Sequence, residues 1–206
     1  MSLAPWIDAC PIVAILRGIR PEEVEGIGAA LLSEGLNILE VPLNSPNPLE
    51  SIRRLHAAFG ERALIGAGTV TSEDEVAAIA RAGARLMVTP HCDPSLVLAA
   101  RARGMIACPG FFTPGEAFAL LAAGADALKL FPAEAASPAV LRALLAVLPK
   151  GTAVLPVGGV GAETIPAWKA AGAAGFGVGS SIYKPGDDAA AVTAKARALR
   201  QAIDAA

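Results

Sequence analysis

Gly83-Ala84-Arg85-Leu86-Met87-Val88-Thr89-Pro90-His91-Cys92-Asp93-Pro94 is followed one period later by Gly104-Met105-Ile106-Ala107-Cys108-Pro109-Gly110-Phe111-Phe112-Thr113-Pro114-Gly115-Glu116. Each stretch reads in the same order. A glycine suits the left-handed residue just past a helix, where a Cβ would be penalised. A three-residue apolar run then has strand character, and a polar cap with a first-turn proline opens the next helix. Working outward, the helix-ending glycines recur as Gly35, Gly60, Gly83, Gly104, Gly124, Gly151 and Gly172, a spacing of roughly 20 to 27 residues that signals a structural repeat. Short apolar runs follow them at Ile38-Leu39, Leu64-Ile65, Leu86-Met87-Val88, Ile106-Ala107-Cys108, Ala127-Leu128, Val154-Leu155 and Phe176-Gly177-Val178. Pro11-Ile12-Val13-Ala14-Ile15-Leu16 supplies an earlier one, making eight strands. Pro21-Glu22-Glu23 and Ser72-Glu73-Asp74-Glu75 add further helix starts. Strands this short and apolar, each followed by a helix, are buried and parallel. Eight such units predict an α/β fold, a (β/α)8 (TIM) barrel formed by residues 1–206 as a single domain. An open doubly wound sheet is the rival. Its Gly-x-Gly-x-x-Gly turn is missing after the first strand, where Arg17-Gly18-Ile19-Arg20 stands instead.

Composition narrows the function classes. Of the 206 residues 54% are hydrophobic and 17% charged, and mean hydropathy is +0.52. Too few charges remain to cover the outside, which predicts apolar surface buried between copies in a homo-oligomer. No apolar run reaches the length of a membrane span, and the N-terminal residues lack the basic and apolar regions of a signal peptide. A soluble, cytoplasmic protein is the expectation. A net charge of −2 argues against an extended nucleic-acid surface. Cys10, Cys92 and Cys108 have no paired spacing, and His56 and His91 lie far apart, so neither a disulfide framework nor a metal site is expected.

In a parallel barrel the chemistry gathers where strands end. Read in order, those ends are Arg17, Glu40, Thr69, Pro90-His91, Pro109-Gly110, Lys129, Gly158-Gly159 and Gly179-Ser180. Lys129 sits in Ala127-Leu128-Lys129-Leu130-Phe131-Pro132, the sixth apolar run. Burial disfavours an ammonium and lowers a lysine pKa, which gives the neutral amine that attacks a ketone. A lysine that snorkels to solvent, or pairs with Glu40 or Glu134, is the plain structural alternative. Glu40, in Ile38-Leu39-Glu40-Val41-Pro42, is a second charge in an apolar run. It is either a buried partner for Lys129 or Arg17, or a proton carrier for imine chemistry at the lysine.

Val157-Gly158-Gly159-Val160-Gly161 and Gly177-Val178-Gly179-Ser180-Ser181 follow the seventh and eighth strands, where many barrels bind phosphate on backbone N–H groups. Arg17 offers a fork for a substrate carboxylate. Thr69 offers a hydroxyl, or else caps the helix beginning near Ser72. His91 is read as an exposed loop residue, the cysteines as small core hydrophobes, and Phe111, Phe112 and Phe131 as pocket walls or, more simply, as packing residues. These residues also fit an isomerase or epimerase with Glu40 as base and Lys129 as electrostatic stabiliser, or a non-catalytic sugar-phosphate sensor.

Four segments carry a closer likeness: Leu39-Glu40-Val41-Pro42-Leu43, Gly66-Ala67-Gly68-Thr69-Val70, Lys129-Leu130-Phe131-Pro132-Ala133-Glu134 and Pro156-Val157-Gly158-Gly159-Val160. In this order, over nearly the whole chain, they resemble the 2-keto-3-deoxy-6-phosphogluconate/phosphogalactonate aldolase family. The resemblance implies a class I (Schiff-base) aldolase in which Lys129 forms the imine and Glu40 is the general acid and base. It implies that Gly158, Gly159, Gly179 and Ser180 bind phosphate, and that three barrels form a homotrimer. No metal or organic cofactor is implied. The chain departs from the gluconate branch, whose Glu-Val-Thr-Leu-Arg-Thr segment is here Glu40-Val41-Pro42-Leu43-Asn44-Ser45. The carboxylate-binding arginine of that branch is therefore missing, and Arg17 takes its place as in the galactonate branch. Val157 stands where the gluconate branch has threonine, which relaxes discrimination at the C4 hydroxyl. The implied reaction is cleavage of 2-dehydro-3-deoxy-6-phosphogalactonate to pyruvate and D-glyceraldehyde 3-phosphate, with the 6-phosphogluconate epimer as a second substrate.

Overall fold

The computed structural model describes residues 2–206. Its parallel strands are β1 (Ile12–Ile15), β2 (Ile38–Pro42), β3 (Leu64–Gly68), β4 (Leu86–Val88), β5 (Ile106–Cys108), β6 (Gly110–Phe111), β7 (Leu128–Leu130), β8 (Val154–Pro156) and β9 (Phe176–Val178). The helices are α1 (Ala4–Ala9), α2 (Val24–Ser33), α3 (Pro48–Phe59), α4 (Glu73–Arg81), α5 (Pro94–Arg101), α6 (Pro114–Ala122), α7 (Pro138–Val147), α8 (Ile165–Ala170) and α9 (Ala189–Asp204).

Six strands run β5-β4-β3-β2-β1-β9 and three run β6-β7-β8. Two seams join them. The bridge between Val157 and Gly177 ties the end of β8 to β9. At the other seam β5 and β6 are one extended stave interrupted at Pro109, which has no N–H to donate. The Ala107 carbonyl accepts from Asp126 N, and the Pro109 carbonyl accepts from Lys129 N, both at 2.9 Å. The eight expected strands are therefore eight staves of a closed barrel, one of which a proline breaks into two segments.

The local signals mostly act as the sequence implies. Ser72 accepts from Glu75 N, Asp93 from Ser95 N, and Thr113 forms a reciprocal capping box with Glu116. Six of the seven period-marking glycines have positive φ, from 72° to 98°. Gly60 is the exception, at φ −57°. After α3 the chain continues through a right-handed turn in which Arg62 N and Ala63 N both donate to the Phe59 carbonyl at 2.8 Å. Gly60 is instead pressed against α3, where an added Cβ would lie 2.5 Å from the His56 carbonyl oxygen.

Strand side chains alternate between two apolar compartments. Ile12, Ala14, Leu39, Val41, Leu128 and Leu130 face the helices as part of the outer core. Val13, Ile15, Ile38, Leu64, Leu86, Ile106 and Leu155 point inward and pack on one another inside the barrel. Leu3, Trp6 and Ile7, in and just before α1, join that inner cluster. Among the described residues no helix is long and apolar enough to cross a membrane.

Candidate active site

Alternation also decides where the two charged strand residues go. Lys129 and Glu40 both line a narrow cavity inside the barrel, with Leu3, Val13, Ile15, Leu86, Val88, Cys108, Leu155 and Val157 around them. Leu128 and Leu130, the lysine's neighbours in sequence, point the other way. Most of the residues that strip water from Lys129 therefore come from other staves and from the segment before α1, and its own apolar run contributes Phe131. Lys129 is 5% exposed and Glu40 2%.

Burial sets the electrostatics of the pair. Desolvation lowers the Lys129 pKa, the Glu40 carboxylate and the Cys108 thiol oppose that, and Arg17 adds to it. Desolvation raises the Glu40 pKa to about 7, against the pull of Lys129 and Arg17. Both groups are thus displaced toward neutrality by the same apolar walls. Among the described residues Glu40 Oε2 has no hydrogen-bond partner, which leaves the carboxylate open to exchange a proton with whatever enters the cavity. The Lys129 ammonium stands 4.7 Å from the centre of the Phe131 ring. Phe131 is therefore a wall of the site, not only a packing residue, whereas Phe111 is buried and Phe112 exposed.

Space for Glu40 comes from glycine. A Cβ on Gly68 would fall 1.3 Å from Glu40 Oε1 and 2.3 Å from its Cδ. The next residue, Thr69, has φ 59°, an uncommon conformation for a β-branched residue and a local strain held by its surroundings. Thr69 does not cap a helix, because Ser72 caps α4.

Above the inner cavity lies a wider, open cleft that brings Arg17, Thr69, Gly158, Gly159, Gly179 and Ser180 together. Ile15 and Val157 line both spaces, so the cleft stands over the mouth of the lysine cavity. All eight residues singled out from the sequence thus fall on one side of the barrel, two below and six above. Gly158 and Gly159 have φ of 108° and 64°, so their turn requires glycine. His91 is exposed and lies outside both spaces, and Cys10 and Cys108 are buried. Among the described residues no group of three or more His, Cys, Asp or Glu side chains is placed to hold a metal ion.

The structure also adds residues that sequence reasoning missed. Glu134 does not pair with Lys129. Its carboxylate lies against the glycine turn, 2.0 Å from where a Gly158 Cβ would be. Cys108 lines the lysine cavity, and Leu3 helps to close it. Asn44 Oδ1 accepts from Arg17 Nη1 at 2.8 Å, and Ser45 Oγ accepts from Gly18 N at 3.0 Å. The only sequence signal for these was proximity to a motif: Glu134 ends one and Asn44-Ser45 follows another.

Residues 5–194 match the family model described as KDPG and KHG aldolase. The 2-dehydro-3-deoxy-6-phosphogalactonate aldolase of Escherichia coli K12 is 44% identical over 202 residues, covering 96% of this chain and 98% of that protein. A native KDPGal structure superimposes with a TM-score of 0.93 at 44% identity, covering 95% of each chain. The KDPG aldolase of Legionella pneumophila, solved with pyruvate captured at low pH as a covalent carbinolamine, is more distant. It is 25% identical with a TM-score of 0.84, covering 100% of this chain and 98% of that one.

Proposed function

Since the chain belongs to the KDPG and KHG aldolase family, we propose that it is a class I aldolase cleaving 2-dehydro-3-deoxy-6-phosphogalactonate to pyruvate and D-glyceraldehyde 3-phosphate. The observation that carries this reading is the desolvated Lys129 sharing a cavity with a Glu40 that titrates near 7, under a cleft lined by the glycine loops.

The neutral Lys129 amine attacks the C2 ketone and gives a carbinolamine. Glu40 donates the proton with which the hydroxyl departs as water, leaving a protonated imine. Ionised Glu40 then takes the proton of the C4 hydroxyl. The C4 oxygen closes to an aldehyde as the C3–C4 bond breaks, and its electron pair moves through the imine to nitrogen as an enamine. Glyceraldehyde 3-phosphate leaves, C3 of the enamine regains a proton from Glu40, and water hydrolyses the imine to pyruvate and free Lys129. A group that gives and takes protons works best with a pKa near the working pH, and the walls around Glu40 supply that. In the cleft, Arg17 takes the substrate carboxylate as a fork. Thr69 contributes its hydroxyl at the mouth of the cavity. Gly158, Gly159, Gly179 and Ser180 take the phosphate on backbone N–H groups and a hydroxyl.

The galactonate epimer is favoured on two grounds. The relative at 44% identity acts on it, while the phosphogluconate enzyme cited above stands at 25%. Val157, which spans cavity and cleft, also offers no hydroxyl to tell one C4 epimer from the other, so the 6-phosphogluconate epimer is a second substrate in this reading. The working form is a cytoplasmic homotrimer of single-domain barrels, and exposed Leu98, Phe118 and Val147 supply apolar surface for such an assembly.

Incubation with pyruvate and sodium borohydride, followed by peptide mass spectrometry, tests the covalent step. A reduced pyruvyl adduct on Lys129, abolished in Lys129→Ala, is the expected result. An unmodified Lys129 in folded protein, with a control aldolase trapped in parallel, overturns the imine and brings the isomerase reading forward.

A further inference from the structure

Arg17 is the cleft's carboxylate ligand in the proposal above, yet it is an exposed side chain on a turn, and free arginines sample many rotamers. What fixes it is the turn of the neighbouring stave. β1 and β2 pair in parallel with Ile15 opposite Glu40, so the segments that follow them emerge side by side. Asn44 Oδ1 accepts from Arg17 Nη1 at 2.8 Å. Ser45 Oγ accepts from the backbone N–H of Gly18 at 3.0 Å, while Ser45 N donates to the Pro42 carbonyl at 3.0 Å. Ser45 is 8% exposed, so its hydroxyl is held in a packed position. From the opposite side Pro185 closes on Gly18, leaving 2.8 Å between its Cγ and a Cβ placed there. Among the described residues no carboxylate forms a salt bridge with Arg17. Its guanidinium charge is therefore oriented without being neutralised.

We propose that Asn44 and Ser45 form a clasp that positions Arg17, with Asn44 holding the guanidinium and Ser45 the backbone beneath it. The neutral amide is the significant choice. It takes one of five guanidinium N–H groups and leaves the fork and full positive charge for a carboxylate. An aspartate there would pair with the arginine and compete with the substrate. Asn44 is thus a positioning residue that acts through Arg17, and this inference rests on Arg17 being the carboxylate ligand.

The test is a double-mutant cycle on Arg17→Ala and Asn44→Ala, read by steady-state cleavage and by the pyruvate concentration giving half-maximal borohydride trapping. Arg17→Ala alone tests the carboxylate assignment: an unchanged KM would sink that assignment and the clasp with it. Given a raised KM in Arg17→Ala, Asn44→Ala is expected to raise KM and half-trapping pyruvate about five-fold, the effect of one orienting hydrogen bond. Its kcat should stay within two-fold and its melting temperature unchanged. Asn44→Asp should raise KM further, and Asn44→Ala should add nothing once Arg17 is gone. A wild-type KM in Asn44→Ala, or an equal penalty from Asn44→Ala with and without Arg17, would overturn the clasp while leaving Arg17's own role standing.

Discussion

Gly68→Ala is the smallest perturbation that reaches the proton-carrying group without replacing it. The new methyl would lie 1.3 Å from Glu40 Oε1 and 2.3 Å from Glu40 Cδ. Non-bonded heavy atoms settle at about 3.5 Å, so the carboxylate must retreat by roughly 2 Å. Gly68 does not have positive φ, so the backbone accepts alanine and the steric load falls on Glu40. Glu40 cannot move freely, because it is 2% exposed and walled by apolar side chains. Overpacking of this kind costs about 1–3 kcal/mol, a melting temperature lower by roughly 2–10 °C in a chain of this size. Misplacing a reacting group by an ångström or more costs on the order of 100-fold in rate. The assay is cleavage coupled to pyruvate reduction, with circular dichroism to establish folding and borohydride trapping to follow the imine separately. Gly68→Ala should lose about 100-fold in kcat with KM little changed, and trapping of pyruvate on Lys129 should slow without vanishing. A folded Gly68→Ala protein with kcat within three-fold of wild type would refute the placement of Glu40 beside Gly68 as the working geometry.

Two further outcomes follow from the same electrostatics. Glutamate ordinarily titrates at 4.5, and Glu40 in the fold at about 7. The folded state holds that proton more tightly, so the stabilisation is complete below pH 4.5 and lost as the pH rises through 7. The difference is on the order of 3 kcal/mol. Glu40→Gln, which keeps the shape and cannot ionise, should therefore melt close to wild type at pH 5 and several degrees above it at pH 8. An equal difference at both pH values would refute the raised pKa. Glu134→Gln removes a carboxylate that lies against the Gly158-Gly159 turn. A phosphate there would repel it, though solvent screens the effect. KM for glyceraldehyde 3-phosphate in the condensation direction should fall about two- to five-fold at low salt, with no change for unphosphorylated glyceraldehyde. A raised KM would show that Glu134 helps to hold the substrate instead.

The fold and the site were legible in the sequence to different depths. Helix stops and caps depend on a few adjacent residues, so the glycine period and the caps at Ser72, Asp93 and Thr113 could be read directly. Gly60 broke the pattern because its neighbours carry the chain into a right-handed turn, an outcome set by tertiary packing on His56 and not by glycine's own freedom. Lys129 and Glu40 stood out because a charge in a buried strand is costly unless it has work to do. Of the apolar neighbours that its own run offers Lys129, only Phe131 stands over it. Leu128 and Leu130 flank it in the chain but face the helices, and the residues that surround it arrive from Leu3, Val13, Leu86, Val88 and Leu155.

By itself, then, the sequence determined the order of units, the parallel barrel they imply, and the rim on which its charged residues gather, because each follows from propensities and periodicities local to a few turns of chain. Only the tertiary structure decided which residues meet. Barrel closure brings Asn44 to Arg17 across 27 positions, sets Glu40 against Gly68, and lays Glu134 over the glycine turn. It also carries Leu3 into the cavity of Lys129. Such contacts depend on stave register and on which face each strand turns inward, and no local window of sequence contains that information.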